Sequence, residues 1–278
     1  MDDLQFPGLC VVHTTDPRSM LARLCRSGWY ALVLSADSTC SCMKYGRRHY
    51  DYDDATLTCY RPAPACTDTP TSCLWTVTFH PDLFRGALRG KRLEEYTFFS
   101  YAPQESLHTS GEERRTLSCC IEDICLELRH APDNYKSTIL TRHLTRLLDY
   151  TARFYERQFI TRHPANEILI RAYEELIGCY LSEGKWATRG PLTAACCAER
   201  LHLSTAYFED LVKQEYGHTH HCYLQIKRIK IAGEKLRTTQ TPLPRIAREL
   251  GFPSVPYFNF LFKKITGFTP HEYRSCTC

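Results

Sequence analysis

Short runs of β-branched and aromatic residues, several with alternating hydrophobic and polar positions, predict β-strands in the first 110 residues. Turn-forming pairs such as Asp16-Pro17 and His80-Pro81 separate these runs. Short strands at this spacing are typical of a small barrel or sandwich. The four runs cover residues 8–14, 29–35, 56–60 and 72–80.

The hydrophobic pattern changes to a helical period after residue 110. Apolar residues between Leu117 and Leu128 recur at helical spacing and predict a helix over 112–129. A longer amphipathic helix is predicted over 134–159, and its apolar face contains Leu140, Leu144, Leu147, Leu148, Phe154 and Tyr155. This face has two equally good partners, the β-rich region of the same chain and a second copy of the chain.

His163-Pro164 interrupts the helical pattern, and Asn166 is a candidate N-cap for a further helix that ends near residue 182. A linker-like stretch follows over 183–191, and the residues after it predict helices with short turns. We therefore expect an α+β multidomain chain. Its parts are a β-rich sensor or dimerisation domain over 1–162, a linker helix and linker over 163–190, and an all-α domain over 191–278.

One pattern occurs twice in the last 90 residues. Each copy has a small residue inside a short helix, then a sharp turn, then a serine that can cap a second helix. The small residues are Ala198 and Ala247, and the capping serines are Ser204 and Ser254. The second helix of each copy has apolar residues at i, i+3 and i+4.

This arrangement describes a helix-turn-helix unit. The small residue lets the two helices cross closely, and Gly251 supplies the positive φ that such a turn can require. The capping serine leaves the N-terminus of the second helix open, where its amide donors and dipole can meet phosphate. An ordinary helical hairpin explains one copy equally well, but two copies joined by a basic helix over 223–238 favour the helix-turn-helix.

The residues from about 192 to 274 resemble the DNA-binding domain of AraC/XylS-type transcription regulators. The first part is similar, more weakly, to sensor domains attached to such regulators in Bacteroides-like bacteria. The matching elements are Gly217, Tyr223-Leu224, Arg228-Ile229, Ala232, Leu236, Ile246-Ala247, Gly251-Phe252, Ser254, Tyr257-Phe258, Phe262-Lys263-Lys264, Gly267, Thr269-Pro270 and Tyr273-Arg274.

The resemblance implies two recognition helices that enter successive major grooves on one face of DNA. It implies that their base-facing residues are Thr205, Ala206, Glu209, Asp210 and Lys213 in the first helix and Val255, Pro256, Asn259, Phe260 and Lys263 in the second. It also implies that the opposite face is buried, with Tyr207, Phe208, Leu211 and Val212 in the first helix and Tyr257, Phe258, Leu261 and Phe262 in the second.

The sequence departs from these relatives at several positions. Many relatives have Arg, Lys or Gln where this chain has Glu209-Asp210 and Phe260. Two adjacent carboxylates repel phosphate, although they can accept a hydrogen bond from cytosine N4. Phe260 suits either a thymine methyl group or the surface of another protein. His202 replaces the turn glycine, and Gly233 lies within the basic helix over 223–238 at a cost of about 1 kcal/mol.

Charge and helix caps identify the candidate phosphate contacts. Residues 1–164 carry 20 basic and 20 acidic side chains, so the net charge of +4 comes from residues 165–278. Six such contacts would give a slope of about −5 for log affinity against log salt. Arg228 has an alternative role. The resemblance implies that this position often ties the basic helix over 223–238 to a carboxylate, which is Glu249 in this chain. The candidates are Ser204, Lys213, Lys227, Arg228, Lys230, Ser254, Lys263, Lys264 and Arg274.

A β-barrel in the first part can hold a small effector between aromatic walls. The resemblance implies a cupin-like effector domain, but the usual metal histidines of a cupin are not recognisable, so we expect no metal and no cofactor. Core packing is the alternative role for each candidate. The effector candidates are Trp29, Tyr45, His49, Tyr52 and Trp75, with Tyr30, Tyr50 and His80 as further polar aromatic residues.

Composition narrows the function classes. Apolar residues make up 43% and charged residues 24% of 278 residues, as in globular proteins. No apolar run approaches 18 residues and the start is acidic, which predicts a cytoplasmic protein with no membrane partner. The 16 cysteines form no C-x-x-C pair, so most are expected to be small apolar residues. The tract 218–221, which contains three histidines, is expected to lie at the surface.

We therefore expect a transcription regulator that binds double-stranded DNA, responds to a small-molecule effector and forms a homodimer. The resemblance also allows contact with RNA polymerase, and no motif for catalysis is present. Two alternatives stay open. One is a binding protein whose helical domain no longer reads DNA, and the other is a thiol- or metal-responsive switch or cupin-type enzyme in the first part.

Overall fold

The computed structural model describes residues 4–13, 28–36, 51–62, 74–84, 93–184, 186 and 190–275. The chain divides into two compact units, Met1–Pro164 and Ala165–Cys278. The stretch 163–190 is predicted to be a linker of its own, whereas the helix in this stretch packs within the second unit.

The first unit contains a six-stranded antiparallel sheet. The four predicted strand runs are confirmed as strands. Two further strands, over residues 4–6 and 107–109, have three residues each, which is too short to show an alternation of hydrophobic and polar positions. The strand order is β1-β2-β5-β3-β4-β6. The strands are β1 (Leu4–Phe6), β2 (Leu9–Val12), β3 (Tyr30–Ser35), β4 (Ala55–Tyr60), β5 (Trp75–Phe79) and β6 (Leu107–Thr109).

The expected closed barrel is not found in the described part of the sheet. β1 and β6 are its outer strands, and they do not pair with each other across those residues. The β-rich architecture is therefore established, but the finer expectation of a cupin-like barrel is not.

Two long helices cover one face of this sheet. They are α1 (Gly111–Arg129) and α2 (Lys136–Thr161), close to the predicted bounds. Ser110 and Glu113 form a reciprocal capping box that starts α1. The six apolar residues predicted for α2 are all buried in the core of this unit, so that face packs within the chain.

The second unit is entirely helical in the described residues. α3 begins three residues before Asn166, which is buried inside the helix, so the prediction that Asn166 is its N-cap was wrong. The helices are α3 (His163–Ser182), α4 (Ala194–Arg200), α5 (Thr205–Tyr216), α6 (His220–Thr238), α7 (Leu243–Glu249), α8 (Val255–Thr266) and α9 (Pro270–Ser275).

The second unit has two hydrophobic clusters that α6 joins. Tyr223 and Leu224 at the start of α6 belong to the first cluster, together with residues of α3, α4 and α5. Ile229, Ala232 and Leu236 farther along belong to the second, together with residues of α7 and α8. The glycine at position 233 gives the Tyr273 ring room to approach α6, because a Cβ there would lie 3.4 Å from that ring.

The two helix-turn-helix turns have the same backbone. In the first, the Leu203 N–H donates to the Ala198 carbonyl at 2.9 Å, and in the second the Phe252 N–H donates to the Ala247 carbonyl at 2.8 Å. This is the Schellman motif, which places one residue in the left-handed region. That residue is His202 (φ 56°) in the first turn and Gly251 (φ 67°) in the second.

His220 is a buried polar residue of the first cluster, so the prediction that the whole histidine tract lies at the surface was wrong. Its Nε2 is 2.9 Å from the Leu192 carbonyl and its Nδ1 is 2.8 Å from the Tyr173 hydroxyl. Because a carbonyl can only accept, Nε2 carries the proton and Nδ1 accepts from Tyr173. Burial lowers the pKa of His220 below its ordinary value of 6.5.

The substitution His202→Gly tests the turn geometry. A left-handed residue with a Cβ is strained, so we expect this variant to stabilise the second unit by about 0.5–1 kcal/mol, measured by hydrogen exchange of 194–266. The matched change Gly251→Ala should destabilise it, because the new Cβ would collide with the Trp186 indole. Destabilisation by His202→Gly would show that the imidazole makes a necessary contact.

Acid should weaken the second unit through His220. Since folding lowers the pKa of His220, its contribution to stability is complete above about pH 6.5 and declines as the pH falls, by at most about 1.4 kcal/mol per pH unit. Hydrogen exchange of 194–266 between pH 7.5 and 5 measures this. The exposed neighbour provides the control, because His221→Ala should keep the decline whereas His220→Gln should remove it. An unchanged decline in His220→Gln would contradict the assignment.

Candidate nucleic-acid interface

The recognition helices α5 and α8 are built in the same way. Ser204 and Ser254 each accept a hydrogen bond at 3.2 Å from the backbone N–H three residues later, which confirms both predicted caps. Each helix ends at a left-handed glycine, Gly217 or Gly267. Both helices are twelve residues long, and equivalent positions differ by 50 in number. This equivalence allows the two outer faces to be compared residue by residue.

The buried faces of the two helices differ in one respect. All four predicted residues of α5 are buried, as are Phe258 and Phe262 of α8, whereas Leu261 is half-buried. Tyr257 is 40% exposed, so its predicted burial was wrong. The packing of the two helices differs as well, since α3 adds Tyr173 against Phe208 of α5 at 5.1 Å, whereas α8 packs against residues of α7 and α9.

The outer faces are accessible to different degrees. Thr205 and Glu209 of α5 are exposed, and Ala206 and Asp210 are half-buried. On α8, Pro256 and Phe260 are exposed while Val255 and Asn259 are half-buried. Phe260 is 64% exposed, whereas the side-chain oxygen of Asn259 is buried.

Four candidate phosphate contacts are exposed lysines: Lys213 on α5, Lys230 on α6, and Lys263 and Lys264 on α8. Lys213 and Lys263 occupy equivalent positions near the ends of the two recognition helices. Their charge therefore lies on the same side of each repeat.

Two other candidates are held by internal contacts. Lys227 forms an ion pair with Glu174 at 2.5 Å, and the guanidinium of Arg274 donates to the Thr241 carbonyl at 2.5 Å. Both side chains are half-buried. Their cations already bind α6 to α3 and α9 to the loop before α7, so phosphate would have to compete with these partners.

Glu174 is the acceptor that holds α3 to the first repeat. It also accepts hydrogen bonds from the hydroxyl groups of Tyr216 and Tyr223. Burial alone would raise the pKa of Glu174, but the hydrogen bonds from Lys227 and the two tyrosines outweigh it and lower that pKa. Glu174 therefore stays ionised and ties α3 to α5 and α6.

The prediction that Arg228 contacts phosphate was wrong, because the side chain is buried. Its Nε donates to the Leu250 carbonyl at 2.9 Å, and its guanidinium donates to the Gln225 side chain at 2.8 Å. Burial lowers the pKa of Arg228 to about 10. Glu249 is not its partner either, since that carboxylate accepts from Lys235 at 2.6 Å and from Arg245 at 3.0 Å.

The guanidinium of Arg228 lies between two aromatic rings. It is 4.1 Å from the ring centroid of Trp186 and 3.8 Å from that of Phe252. Trp186 belongs to the first hydrophobic cluster and also covers Gly251 in the second turn. We call these three residues the Trp186–Arg228–Phe252 stack, and it links the two repeats. Sequence reasoning missed Trp186 because it stands alone in a linker-like stretch without periodicity.

Among the described residues, the effector candidates Trp29, Tyr52 and Trp75 have different neighbours. In the ladder between β3 and β5, Tyr30 pairs with Phe79 and Leu34 pairs with Trp75. Trp75 therefore lies at one end of this ladder, and Trp29, the residue before Tyr30, lies at the other end. Their ring partners differ too, since Trp75 contacts His13 and Trp29 contacts His80. The ring of Tyr52 lies under the guanidinium of Arg157 at 4.7 Å. Tyr45, His49 and Tyr50 lie outside the described residues.

Tyr30 takes part in core packing, which is the alternative role that the sequence left open for the effector candidates. Its ring stacks on Phe79 at 5.5 Å and meets Phe99 edge-on at 5.0 Å. Tyr30 therefore packs at the border of the core of the first unit.

The described cysteines are free thiols, and five of the nine are buried. Burial raises the pKa of Cys59, Cys120 and Cys125, and it raises that of Cys197 to about 12, which makes these thiols poor nucleophiles. Over the described ranges, no group of three or more His, Cys, Asp or Glu side chains is placed to hold a metal ion. The pairs Cys40-x-Cys42 and Cys276-x-Cys278 lie outside the described residues. No described helix is both long enough and apolar enough to cross a membrane.

Comparisons with known proteins agree with this geometry. Residues 197–275 match the family model described as a helix-turn-helix domain. The chain is 28% identical over 113 residues to the arabinose operon regulatory protein of Escherichia coli, which covers 41% of this chain and 37% of that protein. It is 33% identical over 72 residues to the xylose operon regulatory protein of Escherichia coli, which covers 26% of this chain and 18% of that protein.

A solved structure is also similar to part of this chain. It is the C-terminal domain of the two-component response regulator yesN from Fusobacterium nucleatum, with 35% identity, 36% of this chain and 96% of that chain covered, and a TM-score of 0.31. The chain thus spans well under half of the two curated relatives, and the residues matched by the family model lie in the second unit. The C-terminal unit of this chain is a helix-turn-helix domain of the AraC/XylS type.

Proposed function

We propose that this chain is a sequence-specific DNA-binding transcription regulator of the AraC/XylS type. The observation that carries the proposal is the duplicated geometry of α5 and α8. Each helix has a serine-capped N-terminus, an accessible outer face and an exposed lysine at the equivalent position, Lys213 or Lys263. An open helix N-terminus attracts phosphate, and a helix in the major groove reads base edges.

On this proposal α5 and α8 enter successive major grooves. The base-facing residues remain those inferred from the resemblance: Thr205, Ala206, Glu209 and Asp210 on α5, and Val255, Pro256, Asn259 and Phe260 on α8, while Lys213 and Lys263 are assigned to phosphate. The phosphate contacts reduce to Ser204, Ser254 and the four exposed lysines, because Lys227, Arg228 and Arg274 have internal partners.

The first unit is proposed to sense an effector and to mediate dimerisation. Alternation along β4 and β5 places Leu57 and Val77 in the helix-covered core, so Thr56, Thr58, Thr76 and Thr78 point to the opposite face, where they are buried. The hydroxyl groups of Thr58 and Thr78 already pair with Ser106 and with the Cys10 carbonyl, so a polar effector on this face would compete with these hydrogen bonds. Contact with RNA polymerase, a cytoplasmic location and the absence of enzymatic activity belong to the same proposal.

Salt dependence tests DNA binding directly. Four lysine contacts predict that log affinity of the full chain for duplex DNA falls with log salt at a slope of about −3.6. Lys213→Ala and Lys263→Ala should each reduce this slope by about 1 and weaken binding to all sequences similarly, as measured by fluorescence anisotropy.

Arg115→Ala is the control for the lysine variants, because Arg115 is an exposed cation on α1 in the first unit. It should leave the slope unchanged. Failure of the full chain to bind any fragment of bacterial genomic DNA at low salt would refute the proposed function.

The Trp186–Arg228–Phe252 stack should be needed for binding a complete site. Trp186→Ala removes one of the contacts between the repeats and leaves α6 as their connection, so the second recognition helix is held less firmly and its effective concentration falls once the first is bound. We expect about a tenfold loss of affinity for a duplex with both half-sites and little change for one half-site. Trp186→Phe keeps an aromatic ring and should lose less, and equal losses on both duplexes would contradict a role in spacing.

A further inference from the structure

Phe260 is an aromatic side chain on the outer face of a well-packed helix. Two positions away on either side, Phe258 and Phe262 are completely buried in the second cluster. Successive residues of a helix turn by 100°, so Phe260 points away from that cluster, and it is 64% exposed. Its exposure therefore follows from its position on the helix and not from loose packing.

The neighbours of Phe260 on this face form a short apolar stripe with a basic end. Pro256 lies four residues earlier on the same face and is also exposed. Lys263 and Lys264 follow one turn later and are exposed as well. The stripe thus begins at the Ser254-capped N-terminus and ends at two positive charges.

The equivalent face of α5 has opposite chemistry. Asp210 is equivalent to Phe260, and Glu209 is equivalent to Asn259. The two repeats share a backbone and caps, so this difference is independent of the fold. Whatever α8 recognises, it does so through apolar contact where α5 presents carboxylates.

Only one base edge in the major groove of unmodified DNA offers an apolar group, the C5-methyl of thymine. A protein surface could also cover Phe260, but the lysines beside it favour a polyanion over an apolar protein face. Resting on the proposed function, we infer that Phe260, supported by Pro256, reads thymine methyl groups and thereby makes one half of the target site thymine-dependent.

The size of this contribution sets the expected result. Burial of one methyl group corresponds to about 0.8 kcal/mol, which is about a fourfold change in affinity. Replacing a contacted thymine by uracil removes only this methyl group. We therefore expect one or two positions in one half-site at which uracil weakens binding about fourfold.

The experiment begins with the full chain and a random duplex library. Selected duplexes are resynthesised with uracil in place of each thymine in turn, and their affinities are measured at constant salt for the natural chain and for Phe260→Ala. The natural chain should be sensitive to uracil at those positions, and Phe260→Ala should bind the thymine and uracil duplexes equally. Phe268→Ala is the matched control, since Phe268 is 51% exposed in the loop after α8 and should keep the sensitivity.

A second variant tests the same inference by gain of specificity. Phe260→Arg should replace thymine by guanine at the affected position of the selected sequence, because arginine pairs with guanine O6 and N7. An unchanged selected sequence would overturn the inference.

The remaining outcomes are also decisive. Enriched sequences with no uracil effect in the natural chain, or with the effect retained in Phe260→Ala, would overturn thymine reading and leave DNA binding intact. A changed sedimentation coefficient of Phe260→Ala with the uracil effect retained would assign Phe260 to self-association. If no sequence is enriched, the proposed function fails, and this inference fails with it.

Discussion

The second unit depends on a buried guanidinium that links its two repeats. Arg228 lies on α6, which contributes to both hydrophobic clusters, and its flanking rings come from the linker before α4 and from the second turn. Because Trp186 also covers Gly251, no side chain larger than hydrogen fits at that turn residue. The left-handed turn, the linker and α6 therefore constrain each other, and together they set how α8 is placed relative to α5. A cation with no carboxylate partner among the described residues is costly to bury, so carbonyl and ring contacts must replace its water.

Local signals made most of the second unit predictable. Ser204 and Ser254 were identified as caps because capping needs only a short-range hydrogen bond, and the helical period of α5 and α8 identified most of the buried residues. Arg228 and His220 were misplaced because nothing local distinguishes a buried cation or imidazole from an exposed one. Their burial follows from partners 22 and 28 residues away along the chain.

The first unit shows the same division between local and distant information. The spacing of hydrophobic residues in the sequence predicts four strands and both long helices. It does not predict the strand order β1-β2-β5-β3-β4-β6, which pairs strands that are far apart in sequence. Aromatic residues were grouped into one effector site because they are similar in chemistry, whereas the strand register places Trp29 and Trp75 at opposite ends of one ladder. Register is a tertiary property that side-chain type does not encode.

The outer faces of α5 and α8 explain why the link between the repeats matters for this chain. On the proposed function, Glu209 and Asp210 weaken the attraction of α5 for DNA, and the apolar stripe of α8 contributes small contact energies. Most affinity must then come from the exposed lysines and the helix N-termini, which contact the backbone without reading sequence. Two recognition helices whose base contacts each contribute little energy select a site only when both reach their bases at a fixed spacing. On the proposed function, specificity in this chain therefore depends on the relative placement of the two helices, to which the Trp186–Arg228–Phe252 stack contributes, as much as on the bases that each helix contacts.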